Sequence, residues 1–374
     1  MIRLLLSAFA MQIFSFTAFS QCNGDPDICD KRYDHVVYVT THNAYNYSPS
    51  FQLPNQSFSV AQQMQDGVRA FMLDVHNDVF GTPSLYHGIT PVLGSEPLED
   101  VLSDIKQFID QNPNEILTII FEAYINASEM DAVFTSTGLK PYLFTQTFGQ
   151  PWPTLQEMIN NNERLVVFSD IDDAGAGQEW YHYVWDYCVE THYSNSSRAD
   201  FSCNFNRGDS INSLFILNHF VTNQTLGTGE LDSSVLANSN PYFLNRANQC
   251  MQEKGKLPNF LTVDFYDVGN VFETKDELNE NYIGIPQNSV HPKDVFSVFP
   301  NPFDDYAEIN ILNNRSLNQT MIRVLDIKGR VLKVFTPDHY KDGTLLLKDL
   351  GKGMLFVQLL ENGKVVKTTK AIMN

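Results

Sequence analysis

Polar or charged side chains end seven apolar segments of this sequence. They are His42 with Asn43, Asp74, His87, Glu122, Asp170, Asn218 with His219, and Asp264. Imidazoles exchange protons around neutral pH, so two of them can serve as general base and general acid. Carboxylate and amide oxygens are the ligands that Ca²⁺ prefers. The combination predicts acid–base chemistry, with or without a divalent cation.

The apolar segments that precede these groups have the length and composition of buried strands. They cover residues 36–41, 68–75, 84–87, 116–123, 165–169, 213–217 and 260–265. Helical patterns fall between several of them, at 97–111, 154–161 and approximately 234–252. This alternation predicts an α/β fold, a TIM-type (β/α) barrel that is regular or distorted, with its chemistry at the carboxyl ends of the strands.

Strand alternation assigns side chains to the two faces of the predicted barrel wall. If Asp74 points to the barrel mouth, Met72 shares its face and Arg69 faces the outer helices. We therefore expect Arg69 to be structural.

Composition limits the classes of function. The chain has 374 residues, of which 43% are hydrophobic, and a formal net charge of −19. It can bury a large core, and the charge repels phosphate backbones and anionic bilayers. We therefore expect no nucleic-acid partner.

The first twenty residues have the pattern of a secretory signal peptide: Arg3, an apolar run to Phe19, then small or polar residues. An uncleaved anchor is the alternative. No later segment has the apolar length of a transmembrane span, so we expect a mature chain without one.

Export to an oxidising compartment makes the five cysteines disulfide candidates. The predicted pairs are Cys22 with Cys29 and Cys203 with Cys250, which leaves Cys188 as a thiol. Sequence alone does not fix connectivity, and pairing of Cys188 with Cys203 or Cys250 remains open.

Charge divides the chain into a predicted barrel domain over 21–283, a linker over 284–293 and a second domain over 294–374. Residues 21–293 hold 13 basic and 35 acidic side chains, whereas 294–374 hold 11 and 9. The second domain has about seven short strand patterns with hairpin turns, which predicts a small all-β sandwich.

The tail also carries three ordered motifs: VFPNPF at 298–303, VLDIKGR at 324–330 and GMLFV at 353–357. In these motifs it resembles the C-terminal sorting domain of proteins carried by the type IX secretion system. The resemblance implies that machinery as a partner, and a secreted or cell-surface protein.

Five motifs span the predicted barrel: TTHNAY at 40–45, GVRAFMLD at 67–74, LYHG at 85–88, NEILTIIFE at 114–122 and PNFLTVDFY at 258–266. Their order and spelling resemble the X domain of phosphatidylinositol-specific phospholipases C, especially secreted PLC-like phosphodiesterases. The resemblance implies cleavage of a phosphodiester, in phosphatidylinositol or another phospholipid.

Carried over by position, the resemblance makes His42 the general base and His87 the general acid. Asp264 is predicted to orient His42, because the last strand of a barrel neighbours the first. Asn218 and Tyr266 are predicted to bind substrate.

Asn43, Asp74 and Glu122 match the ligands of the calcium-dependent family members, which makes Ca²⁺ the predicted cofactor. Metal-independent bacterial members carry an Arg at the position of Asp74. Met72 is the departure, since calcium-dependent members have a Glu ligand there.

Two other functions remain open. The same fold could act as a glycerophosphodiesterase or a sphingomyelinase D-like enzyme, although Met72 breaks the acidic pair that these relatives use. A non-catalytic surface binding module is the second alternative, and retention of both His42 and His87 argues against it.

Overall fold

The structure is a computed structural model that describes residues 21–88, 90–223 and 228–281. In the tail it describes 296–299, 303–304, 306–311, 320–336, 339, 344–348, 350–361 and 364–373. The predicted signal peptide (1–20) and linker (284–293) lie outside these residues. The chain divides into two compact units, 1–285 and 286–374.

Eleven strands are described in the first unit. They are β1 (Tyr38–Thr41), β2 (Ala70–Asn77), β3 (Pro83–Leu85), β4 (Glu96–Pro97), β5 (Leu117–Ala123), β6 (Leu165–Ser169), β7 (Tyr181–Tyr183), β8 (Cys188–Thr191), β9 (Phe205–Arg207), β10 (Leu214–Asn218) and β11 (Phe260–Val263).

Eight of these strands run parallel, in the order β7-β6-β5-β2-β1-β11-β10-β8. Within the described residues no ladder joins β7 to β8, and β9 adds to β8 in the antiparallel direction. The fold is thus a distorted (β/α) barrel, as predicted. Within the described residues it is open between β7 and β8, which the sequence did not predict.

Helices pack around this sheet. They are α1 (Val60–Asp66), α2 (Leu98–Gln111), α3 (Ala127–Ser136), α4 (Leu155–Asn161), α5 (Val184–Tyr187), α6 (Leu231–Ala237), α7 (Tyr242–Lys254) and α8 (Val271–Asn281). Short 3₁₀ helices occur at Pro26–Ile28, Tyr33–His35, Lys140–Tyr142 and Arg198–Asp200. None of the helices in the described ranges is long and apolar enough to cross a membrane.

The apolar patterns explain these elements. The stripe of α2 is buried along its whole length. Five of the parallel strands, β1, β6, β8, β10 and β11, are buried at every residue. Parallel strands covered on both faces take such nearly continuous apolar sequences. Side-chain alternation is also as predicted: Met72 lines a cavity with Asp74, whereas Arg69 binds Glu115 at 2.6 Å.

Two sequence predictions for the first unit need correction. Residues 84–87 do not form a parallel barrel strand, because β3 pairs with β2 in the antiparallel direction. The single helix predicted over 234–252 is two helices, α6 and α7. Pro241 separates them, since proline has no N–H for the helix ladder and clashes with the preceding turn.

The cysteines are arranged as predicted. Disulfides join Cys22 to Cys29 and Cys203 to Cys250. Cys188 is a buried thiol at the start of β8, and burial raises its pKa.

The second unit has seven described strands: β12 (Phe296–Phe299), β13 (Tyr306–Ile311), β14 (Thr320–Asp326), β15 (Val331–Phe335), β16 (Thr344–Lys348), β17 (Gly353–Glu361) and β18 (Lys364–Met373). They form the sheets β12-β13-β16 and β15-β14-β17-β18. Both sheets contribute to one apolar core, for example Ile309 and Leu347 from the first and Val324 and Val357 from the second. This is the β-sandwich that the turn spacing predicted.

Candidate active site

A cavity of about 500 Å³ lies at the carboxyl ends of the parallel strands, where barrel enzymes hold their chemistry. Six of the predicted site residues line it: His42, Asn43, Asp74, His87, Glu122 and Asn218. Met72, Ile120 and Ile216 contribute apolar lining. The prediction that the strand ends converge is therefore met for most of these residues.

Pairing of the first and last strands builds the His42 site. β1 and β11 run in parallel with Thr41 opposite Val263, so His42 and Asp264 follow side by side. His42 Nδ1 lies 2.9 Å from Asp264 Oδ1. A parallel stack on Phe220, with centroids 3.8 Å apart, fixes the plane of the imidazole. With Nδ1 donating to the carboxylate, Nε2 is left to accept a proton.

Asn55 supports this pair. It is buried, and its Nδ2 donates to Asp264 Oδ1 at 3.0 Å. Its Oδ1 accepts from Asn46 at 2.7 Å and from the amide of Asn43 at 3.4 Å. Asn55 thus links the carboxylate behind His42 to the neighbouring Asn43. No motif in the sequence marks it, because it comes from a loop whose position depends on tertiary packing.

The hairpin of β2 and β3 builds the His87 site. Val75 pairs with Leu85, so the chain after β3 runs back toward Asp74. His87 Nδ1 lies 3.0 Å from Asp74 Oδ2. That hydrogen bond and the charge of Asp74 raise the pKa of His87 despite partial burial. His87 is therefore held toward its protonated form, as a general acid requires.

The predicted cation ligands come from adjacent strands. Asn43 follows β1, and Asp74 is paired in register with Glu122 across β2 and β5. Burial and the nearby charge of Asp74 raise the pKa of Glu122, whose Oε1 accepts a hydrogen bond from Tyr124 at 2.5 Å. A cation bound between Asp74 and Glu122 would relieve the repulsion between the two carboxylates.

The donor set for such a cation is small. Among the described residues, no group of three or more His, Cys, Asp or Glu side chains could hold a metal ion. Asn43 adds an amide oxygen, since its nitrogen is engaged by Asn55. Met72 presents a thioether to the cavity where a further carboxylate would stand. Three hard oxygen donors fit Ca²⁺ in kind, with fewer protein ligands than its usual six to eight.

The opposite wall of the cavity contains residues that the sequence did not single out. Arg207 on β9 lies between the rings of Trp185 and Tyr193, with its guanidinium carbon 4.4 and 4.6 Å from their centroids. Its Nε donates to Glu190 at 2.5 Å. Burial opposes the charge of Arg207, but Glu190 more than offsets this and raises the pKa of the guanidinium. Asn218 donates to the other oxygen of Glu190, at 2.9 Å.

The remaining strand-end residues have other surroundings. Tyr266 is not part of the cavity lining, and its hydroxyl donates to Asp66 at 2.5 Å. His219 is buried between Arg246 and the carbonyl of Ala237. Asp170 does line the cavity, and it accepts the backbone N–H of Ala123 at 3.0 Å.

The fold and the paired histidines define a PLC-like (β/α) barrel protein. Residues 28–279 match the family model described as PI-PLC X 1, which shows that the chain belongs to the PI-PLC X family. Residues 297–374 match the model of a secretion system C-terminal sorting domain.

Similar proteins occur in several organisms. A PI-PLC X domain-containing protein of Arabidopsis thaliana is 30% identical over 272 residues, which cover 66% of this chain and 62% of that protein. An uncharacterized secreted protein of Arthroderma benhamiae is 27% identical over 292 residues, 69% of this chain and 64% of its own. The chain thus spans less than two thirds of the length of both relatives. The structure of a phosphatidylinositol-specific phospholipase C from Listeria monocytogenes aligns with a TM-score of 0.46 at 18% identity, covering 68% of this chain and 95% of that one.

Proposed function

We propose that this protein is an exported phosphoric diester hydrolase of the phospholipase C type, acting on phosphatidylinositol or a glycosylated relative. One observation carries the proposal. Two imidazoles line the same cavity, and each is bonded through Nδ1 to its own carboxylate. A binding module has no need of such a pair.

His42 acts as the base in this proposal. Its Nδ1 donates to Asp264, so its Nε2 takes the proton of the substrate hydroxyl that attacks phosphorus. Asp264 is buried and stabilises the imidazolium that forms. Attack by an internal hydroxyl forms a cyclic phosphodiester and needs no covalent enzyme intermediate, which agrees with the absence of a Ser or Cys nucleophile motif.

His87 acts as the acid. As the bond between phosphorus and the diacylglycerol oxygen breaks, protonated His87 gives that oxygen its proton. Asp74 favours the protonated form beforehand. His42 thus gains one proton and His87 loses one. A proton exchange with water or with the product then returns both residues to their starting states.

Ca²⁺ would be held by Asn43, Asp74 and Glu122. When bound, it would supply positive charge against the phosphate oxygens. Asp74 would then contact both the cation and His87, since its Oδ2 already contacts His87.

Arg207 is the residue we assign to the head group. Its aromatic neighbours fix the guanidinium plane and Glu190 holds Nε, which leaves the terminal nitrogens to donate to hydroxyl or phosphate oxygens.

Export in this proposal uses the sorting tail. The match of residues 297–374 to a sorting domain and a secreted relative support transport across the outer membrane by the type IX machinery. The mature protein would then be released or held at the cell surface.

The test is an assay of the purified protein against phosphatidylinositol, phosphatidylcholine and glycerophosphoinositol, each with Ca²⁺ and with EDTA. ³¹P NMR would identify the first product. We expect a cyclic inositol phosphate from phosphatidylinositol, formed about 10² to 10⁴ times more slowly by His42→Ala and by His87→Ala. His339→Ala is the matched control, because it removes an exposed imidazole of the second unit.

Other products would change the assignment. An acyclic monoester as the first product, from glycerophosphoinositol in particular, would indicate attack by water and favour the glycerophosphodiesterase alternative. Failure to cleave any of the three substrates would contradict the enzymatic proposal and favour a binding module.

A further inference from the structure

Arg246 is a buried cation that no described carboxylate neutralises. It lies on α7 and is 6% exposed. Within the described part of the chain, its hydrogen bonds go to two backbone carbonyls and one imidazole, and its Nε has no partner. Burial lowers the pKa of the guanidinium to about 10. A buried charge without an ion pair is costly in free energy, so the contribution of Arg246 lies in the groups that it holds in place.

Arg246 Nη1 fixes the end of β10. It donates to the carbonyl of Asn218 at 3.1 Å and to His219 Nδ1 at 2.8 Å. His219 Nε2 donates to the carbonyl of Ala237, so Nδ1 is the accepting nitrogen, and the ring stacks on Phe243. The backbone at Asn218 is therefore held by a buried side chain of α7.

Asn218 connects Arg246 to the cavity wall. Its Nδ2 donates to Glu190 Oε2 at 2.9 Å, and Glu190 Oε1 accepts from Arg207 Nε at 2.5 Å. Glu190 is 2% exposed. Because a buried carboxylate must keep its hydrogen-bond donors, a shift of Asn218 would also shift Glu190 and the guanidinium that it binds.

Nη2 of Arg246 makes a second connection, through the loop before β9. It donates to the carbonyl of Ser202 at 3.2 Å. The disulfide between Cys203 and Cys250 ties the same loop to α7. β9 begins shortly after this loop and ends with Arg207. The segment that leads into β9 is therefore fixed to α7 at two neighbouring points.

We propose that Arg246 is a positioning residue for Arg207. It holds the end of β10 and the loop before β9, and so keeps the Arg207 guanidinium between its two aromatic neighbours at the cavity wall. The inference rests on the proposed function, in which Arg207 binds the head group, and it extends that function to a residue outside the cavity lining. Arginine suits this task, because its planar fork spans three acceptors that a lysine ammonium does not reach together.

Arg246→Lys tests this role, since it keeps the charge and loses the fork. Arg164→Lys is the matched control. Arg164 is 4% exposed and also donates to backbone carbonyls, but it precedes β6, at the opposite end of the barrel from the cavity. Both variants should lower the midpoint of thermal unfolding, because each loses buried hydrogen bonds. Only Arg246→Lys should alter the head-group site.

The position of Arg207 is measured in crystal structures of the variants, and the affinity for inositol phosphate by calorimetry. In folded Arg246→Lys, the Arg207 guanidinium should leave its site between the two rings. The dissociation constant should rise about tenfold to a hundredfold, the usual effect of lost hydrogen bonds to a charged group. KM for a soluble inositol phosphodiester should rise with it and kcat should change less, because both catalytic histidines keep their carboxylates.

A double-mutant cycle distinguishes positioning from a general loss of stability. Arg207→Gln should weaken binding of inositol phosphate by a similar factor. Adding Arg246→Lys to it should weaken binding no further, because the group that Arg246 positions is already absent. Losses that multiply in the double variant would overturn the inference. Arg246→Met, which keeps the length of the side chain and removes its charge, is the second variant if the lysine variant does not fold.

Arg207 in its wild-type position in a folded Arg246 variant, with unchanged affinity, would also overturn the inference. If Arg207 is displaced but the wild type does not bind inositol phosphate, the positioning role stands and the head-group assignment of the proposed function fails. If the wild type binds inositol phosphate through Arg207 and Arg246→Lys binds it equally well, the proposed function stands and this inference fails.

Discussion

The two histidine–carboxylate pairs face different surroundings. The Asp264 side chain is 0% exposed behind a His42 side chain that is 19% exposed, whereas His87 is 40% exposed over an Asp74 that faces the cavity. A buried carboxylate with a fixed hydrogen-bond partner suits a base that must return to the same tautomer. An open imidazole suits an acid that must reach a departing oxygen. The asymmetry agrees with the roles we propose.

Leaving-group dependence tests these roles. His87→Ala and His42→Ala should each slow cleavage of the lipid by about 10² to 10⁴, the usual contribution of general acid or base assistance. A nitrophenyl ester of inositol phosphate needs little protonation of its leaving group. It should restore the rate of His87→Ala and leave His42→Ala slow, as measured by kcat/KM. A His87→Ala variant that cleaves the natural lipid at the wild-type rate would contradict the acid assignment.

The pH profile tests the contact between Asp74 and His87. Asp74 raises the pKa of His87. As the pH rises through that raised pKa, His87 loses the proton that it needs as the general acid. Asp74→Asn keeps the shape of the side chain and removes its negative charge. The basic limb of the pH profile of kcat/KM should therefore move to lower pH. Asp100→Asn on α2 is the control and should not move it. A basic limb that stays in place in Asp74→Asn would show that another group is the acid.

Local sequence was enough to predict the residues that follow parallel strands. His42, Asp74 and Glu122 each follow or end an apolar run, so their convergence needs only the barrel hypothesis. Arg207 and Asn55 were not predictable in this way. Arg207 reaches the cavity through an antiparallel strand beside β8, and Asn55 through a loop, and neither position has a periodic pattern.

At the level of elements, the predicted position of His87 beside the cavity is correct, but the strand arrangement from which it was predicted is wrong. It was predicted at the end of a parallel strand, whereas an antiparallel hairpin brings it back to Asp74. The missed strands β7, β8 and β9 have three or four residues each, too few for a periodicity to be recognised. The seven tail strands were predicted because tight turns separate them.

The chain segment after Phe220 gives a test at this scale. Gly229 lies against the carboxylate of Asp264, and a Cβ added there would come within 2.7 Å of Oδ2. Gly229→Ala should displace Asp264, misorient His42 and reduce kcat/KM by about 10-fold to 100-fold, since small misplacements of catalytic groups have effects of that order.

Gly351→Ala in the second unit is the matched control, because its added Cβ meets nothing within 4 Å. It should have wild-type kcat/KM on a soluble diester. Wild-type kcat/KM in folded Gly229→Ala would show that the Asp264 position tolerates this contact.

For the whole molecule, the two units differ in net charge. The acidic excess lies almost entirely before residue 294, and the tail is close to neutral. The cavity, both histidines and their carboxylates all belong to the first unit. The core of the second unit is formed by its own strands.

A chain that ends at residue 290 should therefore keep kcat/KM on a soluble diester and fail to leave the cell. Export requires the removed tail in our proposal, whereas each site residue and both disulfides precede the cut. Immunoblots of medium, cell surface and periplasm, together with the activity of the purified chains, would measure both effects. Full-length His42→Ala is the complementary control, because it should be exported normally and be inactive.

If the truncated chain reaches the medium as the full-length chain does, the tail has no role in export. If it is exported poorly and also inactive after correct folding, the tail contributes to the catalytic unit, and the division of labour between the two units is wrong.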